Sequence, residues 1–151
     1  MDIRKCAELI SNAMKQQPID KNVLEQTLKA PNVIILVAKV KERVVGLITG
    51  LVFPFAIPPP RIDFLAVPDE ESAQKGLYGL LVDKFIEKIK KRLPNARYVD
   101  TNIATENQNF VAMYSLKGFK VIGFIKGEKQ FNDVVVLRKN ISKEQESSFT
   151  V

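Results

Sequence analysis

A strand that leads through a short polar loop into a long amphipathic helix is the strongest constraint on the fold. The run RIDFLAV, residues 61 to 67, is typical of a β-strand, and apolar residues from position 77 onward recur at the spacing of one helix face. Four basic residues lie between positions 88 and 92, where positive charge suits the negative end of the helix dipole, and Pro94 follows. This segment therefore predicts a strand, a loop with one glycine and a helix over residues 77 to 93.

Apolar patterns on either side predict the other elements of one domain. Helical spacing extends from Ile3 to Met14 and stops at Pro18, and a shorter helix is expected at residues 21 to 29. The runs NVIILVAKV and RVVGLITGLVF predict an antiparallel hairpin. The run RYVDTNI predicts a strand, and residues 107 to 117 predict a helix that ends at a left-handed Gly118. The runs FKVIGFIKG and FNDVVVLRK predict a second hairpin. No linker divides the chain, so we expect a single domain over residues 1 to 141 and a polar, frayed tail over residues 142 to 151.

The composition excludes several kinds of chemical site. The chain has no histidine, which excludes imidazole acid/base catalysis and histidine metal ligands. Cys6 is the single cysteine, so neither an intramolecular disulfide nor a thiolate metal cage can form, and we expect no metal. Cys6 also falls on the apolar side of the first helical pattern, which favours a packing role over a reactive thiol.

Charge and hydropathy restrict the partners and the compartment. The net charge of +6 favours an anionic partner, and both phosphates and nucleic acid qualify. The longest uncharged run, residues 44 to 60, is shorter than the ~20 apolar residues of a membrane span and contains four prolines, so we expect no membrane association. The lone cysteine, and a charged N-terminus without the apolar segment of a signal peptide, favour a cytoplasmic protein.

The first local motif is SAQKGLYG, residues 72 to 79. It places Gln74, Lys75 and Gly76 just before a helix, where free N–H groups attract phosphate and glycine lets the backbone come close. The alternative is an ordinary helix start that Ser72 caps.

The second motif is NQNFVAMYSLKGF, residues 107 to 119. Asn107 and Tyr114 are seven residues apart and share one helix face. The alternative is that Tyr114 belongs to the core and that Asn107 caps the helix.

In this order, with a strand before each, the two motifs resemble those of the GNAT N-acetyltransferases. The first motif of that family runs from a strand ending in Val through Arg/Gln-x-x-Gly-x-Gly/Ala into a long helix, and the second is Asn-x-x-Ala-x-x-x-Tyr-x-x-x-Gly-Phe. The matching residues here are Val67, Gly76, Asn107, Tyr114, Gly118 and Phe119, and the likeness extends over residues 21 to 139. This chain departs from the pattern at Ala73, Tyr78 and Phe110, where the family has Arg or Gln, a small residue and Ala.

The resemblance implies an α/β fold on a mixed, mostly antiparallel sheet flanked by helices, with the first strand of the family short or absent. The central parallel strands of such a sheet splay apart around acetyl-CoA. By this likeness, main-chain groups of Leu65, Ala66 and Val67 would pair with the pantetheine arm as an added strand does. The pyrophosphate would be held by the amides of Ala73, Gln74, Lys75, Gly76, Leu77, Tyr78 and Gly79. Asn107 would contact the pantetheine, and the Tyr114 hydroxyl would be the general acid for the departing thiolate.

The implied activity is direct N-acetyl transfer from acetyl-CoA to an amine acceptor, which is a small molecule, a peptide or a protein, in a ternary complex. No serine or cysteine with a base partner is apparent, so no covalent enzyme intermediate is expected. Either Asp63 or a chain of waters would take up the proton of the amine. The alternative for Asp63 is a solvated or salt-bridged carboxylate.

Two other functions stay open at this point. An acyl-CoA-binding module that has lost catalysis would fit the departures at Ala73, Tyr78 and Phe110. A basic nucleic-acid binder would fit the net charge and the run KFIEKIKKR, but an acidic residue interrupts that run and a charged helix face is usually solvated, so we expect no nucleic-acid partner. A homodimer is also left open.

Overall fold

The described part of the chain contains four helices and six strands. The structure is a computed structural model and describes residues 2 to 13, 20 to 53, 58 to 68, 76 to 128 and 132 to 142. In chain order the elements are α1 (Ile3–Ala13), α2 (Lys21–Leu28), β1 (Val33–Val40), β2 (Arg43–Leu51), β3 (Arg61–Ala66), α3 (Leu77–Arg92), β4 (Tyr98–Ala104), α4 (Gln108–Leu116), β5 (Lys120–Ile125) and β6 (Val134–Asn140). The stretch around Pro18 and all but the first residue of the predicted tail lie outside the described residues.

The six strands form one mixed sheet that is splayed at its centre. Their order is β1-β2-β3-β4-β6-β5, and every neighbouring pair is antiparallel except β3 and β4. The parallel strands β3 and β4 pair only at Arg61 with Asp100 and at Ile62 with Thr101. The structure describes both strands along their whole length, and beyond these residues they diverge. The predicted fold class, with splayed central parallel strands, is therefore confirmed.

Helices cover both faces of this sheet because its strands carry apolar side chains on both sides. Along β1, Ile34 and Leu36 join the core under α3 and α4. Val33, Ile35 and Val37 pack in the core under α1 and α2. The sheet is thus the middle of three layers, and its central strands are buried from both sides.

The element boundaries agree closely with the sequence patterns. Helix α2 ends at Leu28, one residue before its predicted end. Gly118 has a φ of 91°, which confirms the left-handed end of α4. Among the described residues the first strand is β1, which follows two helices, as expected for a short or absent first strand.

The described residues also include Cys6 and can be compared with the requirements of a metal site and of a membrane-spanning helix. Cys6 is 2% exposed and packs in the core under α1 and α2, as the helical pattern predicts. No helix in the described ranges is both long and apolar enough for a membrane crossing. Across the same residues, no group of three or more potential ligand side chains is arranged to hold a metal ion.

Gly50 on β2 sets the position of α3 against the sheet. A β-carbon at this position would collide with the ring of Phe85, a fully buried residue of α3, and with the carbonyl of Arg61. The pairing of β2 with β3 also shifts here, because Thr49 is opposite Phe64 whereas Gly50 is opposite Ile62. The extra residue, Asp63, bulges from β3 just where this strand leaves β4.

Candidate active site

The divergence of β3 and β4 opens a cleft at the carboxyl ends of these parallel strands. The cleft has a volume of ≈ 600 Å³. Leu65 on β3, Thr101 on β4, and Asn107 and Tyr114 at α4 are among the residues that line it. Ligands of open α/β sheets bind at this edge, so the cleft is the candidate site.

A second cavity, of ≈ 480 Å³, lies at the opposite ends of the same strands. Pro60 before β3 and Arg97 and Tyr98 at the start of β4 line it. Its described lining contains no residue of the two sequence motifs, so the splayed cleft remains the better candidate.

The edge of β3 that faces the cleft offers main-chain hydrogen bonds. Leu65 and Ala66 pair with β2 on one side, opposite Ile48 and Leu47. On the other side the described part of β4 pairs with β3 only as far as Ile62. An extended ligand can therefore add to this edge as a further strand would, as predicted for Leu65, Ala66 and Val67.

Tyr114 lies at the floor of the cleft, near Thr101 of β4. It is 1% exposed, and its ring meets Phe119 edge-on at 5.0 Å. The Thr101 hydroxyl donates to the Ile62 carbonyl at 3.2 Å, across the last parallel pair.

The protonation of Tyr114 follows from this environment. Burial raises the pKa of Tyr114, and the nearby Thr101 side chain offsets only part of that effect. The phenol is therefore neutral around pH 7, and it carries a proton that it can donate to a ligand in the cleft.

Asn107 precedes α4 and lines the cleft with an exposed side chain. It occupies the N-cap position, yet its side chain makes no capping hydrogen bond with the described amides of α4. The interpretation of Asn107 as a simple cap is therefore wrong, and its amide group is available to a ligand.

The start of α3 carries the described half of the first motif. Gly76 has a φ of 84°, which favours glycine, and a β-carbon there would meet nothing within 4 Å. The amides of Leu77, Tyr78 and Gly79 belong to the first helical turn and have no partner within α3, so they point to where an anion could bind. The other predicted phosphate ligands, Ala73, Gln74 and Lys75, lie outside the described residues, as does Ser72.

Comparison with known proteins gives a likeness of structure rather than of sequence. No family model and no curated protein matches the sequence. The fold is similar to that of a ribosomal-protein alanine N-acetyltransferase from Escherichia coli, with a TM-score of 0.74 and 15% identity over 94% of this chain and 90% of that one. It is also similar to a spermidine N-acetyltransferase from Vibrio cholerae, with a TM-score of 0.71 and 17% identity over 92% and 89%. A GNAT family acetyltransferase from Elizabethkingia anophelis with acetyl-CoA bound gives a TM-score of 0.70 and 18% identity over 89% of both chains. The chain has the GNAT fold.

Two of the departures from the GNAT motifs are in contact with each other. The rings of Tyr78 on α3 and Phe110 on α4 meet edge-on, with centroids 5.1 Å apart, and both line the cleft. Burial raises the pKa of Tyr78, and the nearby backbone of Val67 opposes part of this rise.

Among the described residues, Asp63 and Glu106 are the carboxylates that line the cleft. Asp63 forms an ion pair with Arg61, with 2.8 Å between Oδ1 and Nε, which agrees with the salt-bridged alternative for this residue. Glu106 is exposed and follows the end of β4.

Sequence reasoning missed several residues that the GNAT fold brings to this site. Thr101, Asn102 and Glu106 lie at the carboxyl end of β4, a position that would have singled them out once the parallel pairing was known. Lys117 lies against the start of α3, since a β-carbon on Gly79 would be 2.8 Å from its Cε. No signal in the local sequence relates Lys117 to that helix.

Proposed function

We propose that this protein is an N-acetyltransferase that moves the acetyl group of acetyl-CoA directly to an amine. The observation that carries the proposal is the cleft between splayed parallel strands, with a protonated Tyr114 at its floor and the uncapped Asn107 at its edge. The structure from Elizabethkingia anophelis with acetyl-CoA bound supports acetyl-CoA as the donor. A fold shared with enzymes for spermidine and for a ribosomal-protein alanine supports an amine acceptor.

The donor would lie with its pantetheine arm along β3 and its pyrophosphate at the start of α3. The free edge at Leu65 and Ala66 supplies main-chain partners for the amides of the arm. Positive φ at Gly76 and the first amides of α3 supply an anion site. In this arrangement Asn107 would contact the arm from α4.

The reaction would need one attack and two proton transfers. The neutral amine attacks the thioester carbonyl, and collapse of the tetrahedral intermediate breaks the carbon–sulfur bond. The departing sulfur takes the proton of Tyr114, and the amine loses its own proton to a base or to water. Thr101 lies beside Tyr114 in the cleft.

The ion pair at Asp63 favours an acceptor amine that is deprotonated without a strong base. Deprotonating a lysine-type amine with a pKa of ~10.4 costs about 4 to 5 kcal/mol at pH 7, whereas an α-amino group costs about 1 kcal/mol. Asp63, the carboxylate that the sequence singled out as a base, already forms an ion pair with Arg61. An α-amino acceptor deprotonated through water fits this cleft better than a side-chain amine.

A catalytically inactive acyl-CoA-binding module of the same fold is the second candidate. The departures at Tyr78 and Phe110 favour it, because their two rings pack together inside the cleft. Calorimetry with acetyl-CoA, followed by a thiol-release assay with small amines, peptides and protein N-termini, separates the two. We expect acetyl-CoA to bind and the CoA thiol to be released when an amine is present. Binding of acetyl-CoA without thiol release with any acceptor would support the binding module. Failure to bind acetyl-CoA would contradict both candidates.

A further inference from the structure

Apolar side chains are exposed on both faces of β5, which is an edge of the sheet. This strand is last in the strand order, and within the described residues it pairs only with β6. Phe124 is 58% exposed and Ile125 is 52% exposed. Because neighbouring residues of a strand point to opposite faces, the described part of the chain covers neither face of β5. Val121 and Ile122 are exposed as well, so β5 is apolar after its first residue.

The opposite edge strand, β1, is protected in a way that β5 is not. Its side chains, such as Ile34 and Ile35, pack in the two cores under the helices. Proteins usually protect an uncovered edge with charge or proline, because an apolar edge pairs readily with another strand. Strand β5 has a bulge at Ile122, but residues 121 to 125 contain neither a charge nor a proline. This edge is therefore suited to a partner strand.

We propose that the edge of β5 pairs with β5 of a second copy of this chain, as antiparallel strands around a two-fold axis. The inference does not depend on the proposed function. A two-fold axis brings the same surface of both copies into contact, so that surface must be complementary to itself. Antiparallel pairing joins the outer main-chain groups of the two edges and makes one continuous sheet across the dimer.

Charge selects a pairing in which the axis passes through Phe124. Lys120 and Glu128 are both exposed and each lies four residues from Phe124, so each lysine comes opposite the glutamate of the other copy. An axis at the preceding residue would bring Lys120 opposite Lys126, which is a pair of like charges. Since β5 ends at Ile125, the partner strand would extend the ladder along the chain as far as Glu128.

The same axis also matches large side chains with glycines. Val121 comes opposite Gly127, and Ile125 comes opposite Gly123. The two copies of Phe124 meet at the axis, and aromatic pairs across neighbouring strands stabilise a sheet. The apolar run is thus complementary to itself in side-chain size as well as in charge.

The interface is small, so the dimer should be reversible. One pair of edge strands buries less than the ~800 Å² that each partner contributes to a standard interface. We therefore expect a dissociation constant on the order of 10 to 100 µM. The proportion of dimer then depends on the concentration of the chain.

Analytical ultracentrifugation between about 2 and 400 µM measures this association. We expect the average mass to rise from one chain toward two and no further, because a two-fold pairing is closed. Phe124→Lys removes the aromatic pair and places two like charges at the axis, and we expect it to remain a monomer. Val40→Lys is the matched control, because Val40 is 61% exposed on the opposite edge strand, and it should dimerise as the unchanged chain does. Circular dichroism checks that both variants are folded.

Three results of this experiment would overturn the proposal. The first is an unchanged chain that stays a monomer at every concentration. The second is a mass that grows beyond two chains, which indicates unspecific aggregation of edges. The third is a loss of association in Val40→Lys as large as that in Phe124→Lys.

Charge reversal tests the pairing centred on Phe124. Lys120→Glu and Glu128→Lys each bring like charges together at both ends of the paired strands, and we expect each to weaken the dimer about tenfold at low salt. The double variant, with both changes, restores opposite charges and should dimerise as the unchanged chain does. Single variants without effect, or a double variant as weak as the single ones, would show that this pairing is wrong.

Hydrogen exchange distinguishes a second copy from other cover for this edge. We expect the amides of residues 121 to 125 that face away from β6 to exchange more slowly at about 400 µM than at about 2 µM, because pairing protects them. Protection that does not change with concentration would mean that the same chain covers the edge, and would overturn the proposal. None of these measurements uses acetyl-CoA, so their failure and the failure of the proposed function are distinguishable.

Discussion

At the scale of single residues, Tyr114 has the clearest chemical assignment. Tyr114→Phe removes the proton that would go to the departing sulfur but keeps the buried ring against Phe119. We expect turnover to fall about 100-fold, in the usual range for loss of a general acid, while the affinity for CoA changes little. Steady-state kinetics together with calorimetry measure the two effects separately. Unchanged turnover would rule out Tyr114 as the acid.

The same hydroxyl should affect stability in alkaline solution. Burial raises the pKa of Tyr114 above the ~10 of an unfolded tyrosine, so the folded chain holds this proton more tightly. The resulting stabilisation is complete below about pH 10 and is lost as the pH rises through the folded-state pKa. We expect Tyr114→Phe to lose less stability than the unchanged chain between about pH 9 and 11, as measured by urea unfolding. If both proteins lose the same free energy of unfolding over this pH range, Tyr114 is not the group responsible for the alkaline loss.

Residues whose role is local in sequence could be predicted, whereas residues whose role depends on pairing could not. Asn107 and Tyr114 belong to one helical motif, so their shared face was visible in the sequence. Thr101 matters because it bonds the carbonyl of Ile62, which is 39 residues away, and contacts Tyr114. The contact between Tyr78 and Phe110 also joins two helices, so the sequence showed two departures but not that they pack together.

At the scale of elements, the glycine on β2 decides how α3 packs. Gly50→Ala would place a β-carbon against Phe85 and the Arg61 carbonyl, and neither has room to move in a buried core. We expect a loss of about 3 kcal/mol in the free energy of unfolding, at the upper end of overpacking effects. Urea unfolding measures this loss.

Gly123→Ala on β5 is the matched control for this prediction. The nearest side-chain atom to a β-carbon there is Val136 Cβ at 3.8 Å, which is ordinary contact. We expect a change of less than about 1 kcal/mol, because alanine fits a strand at least as well as glycine does. Similar losses for the two variants would show that the close contact at Gly50 is not what limits the substitution.

The elements themselves were predictable because each has a strong local signal. The β-branched hairpins and the amphipathic α3 formed where their periodicity indicates, and Gly118 ended α4 as predicted. The splay of β3 from β4 was predicted only through the resemblance, since periodicity does not report register between strands far apart in the chain. The bulge at Asp63 belongs to the pairing of β3 with β2, and the ion pair joins Asp63 to Arg61 on the same strand.

At the scale of the whole molecule, the excess of basic residues is a general attraction for anions. The net charge of +6 raises the local concentration of a polyanion without defining a site. The described cleft instead provides shape and directed hydrogen bonds, at the edge of β3 and the start of α3. Salt separates the two contributions. It screens the general attraction of the net charge over about 10 Å at 0.1 M, and it affects the hydrogen bonds of the cleft much less.

We therefore expect the affinity for CoA to fall severalfold between about 50 and 500 mM sodium chloride and then to level off. Pantetheine, which has no phosphate, should bind with an affinity that salt does not change. Duplex DNA, the probe for the nucleic-acid alternative, should lose its binding altogether over the same range, because contacts to phosphates alone are released by counterions. Calorimetry measures the salt dependence of binding for CoA and for pantetheine, and gel shifts measure it for DNA.

If DNA remains bound at the higher salt while CoA does not, the basic surface rather than the cleft is the specific site, and the assignment of the cleft to a coenzyme is wrong.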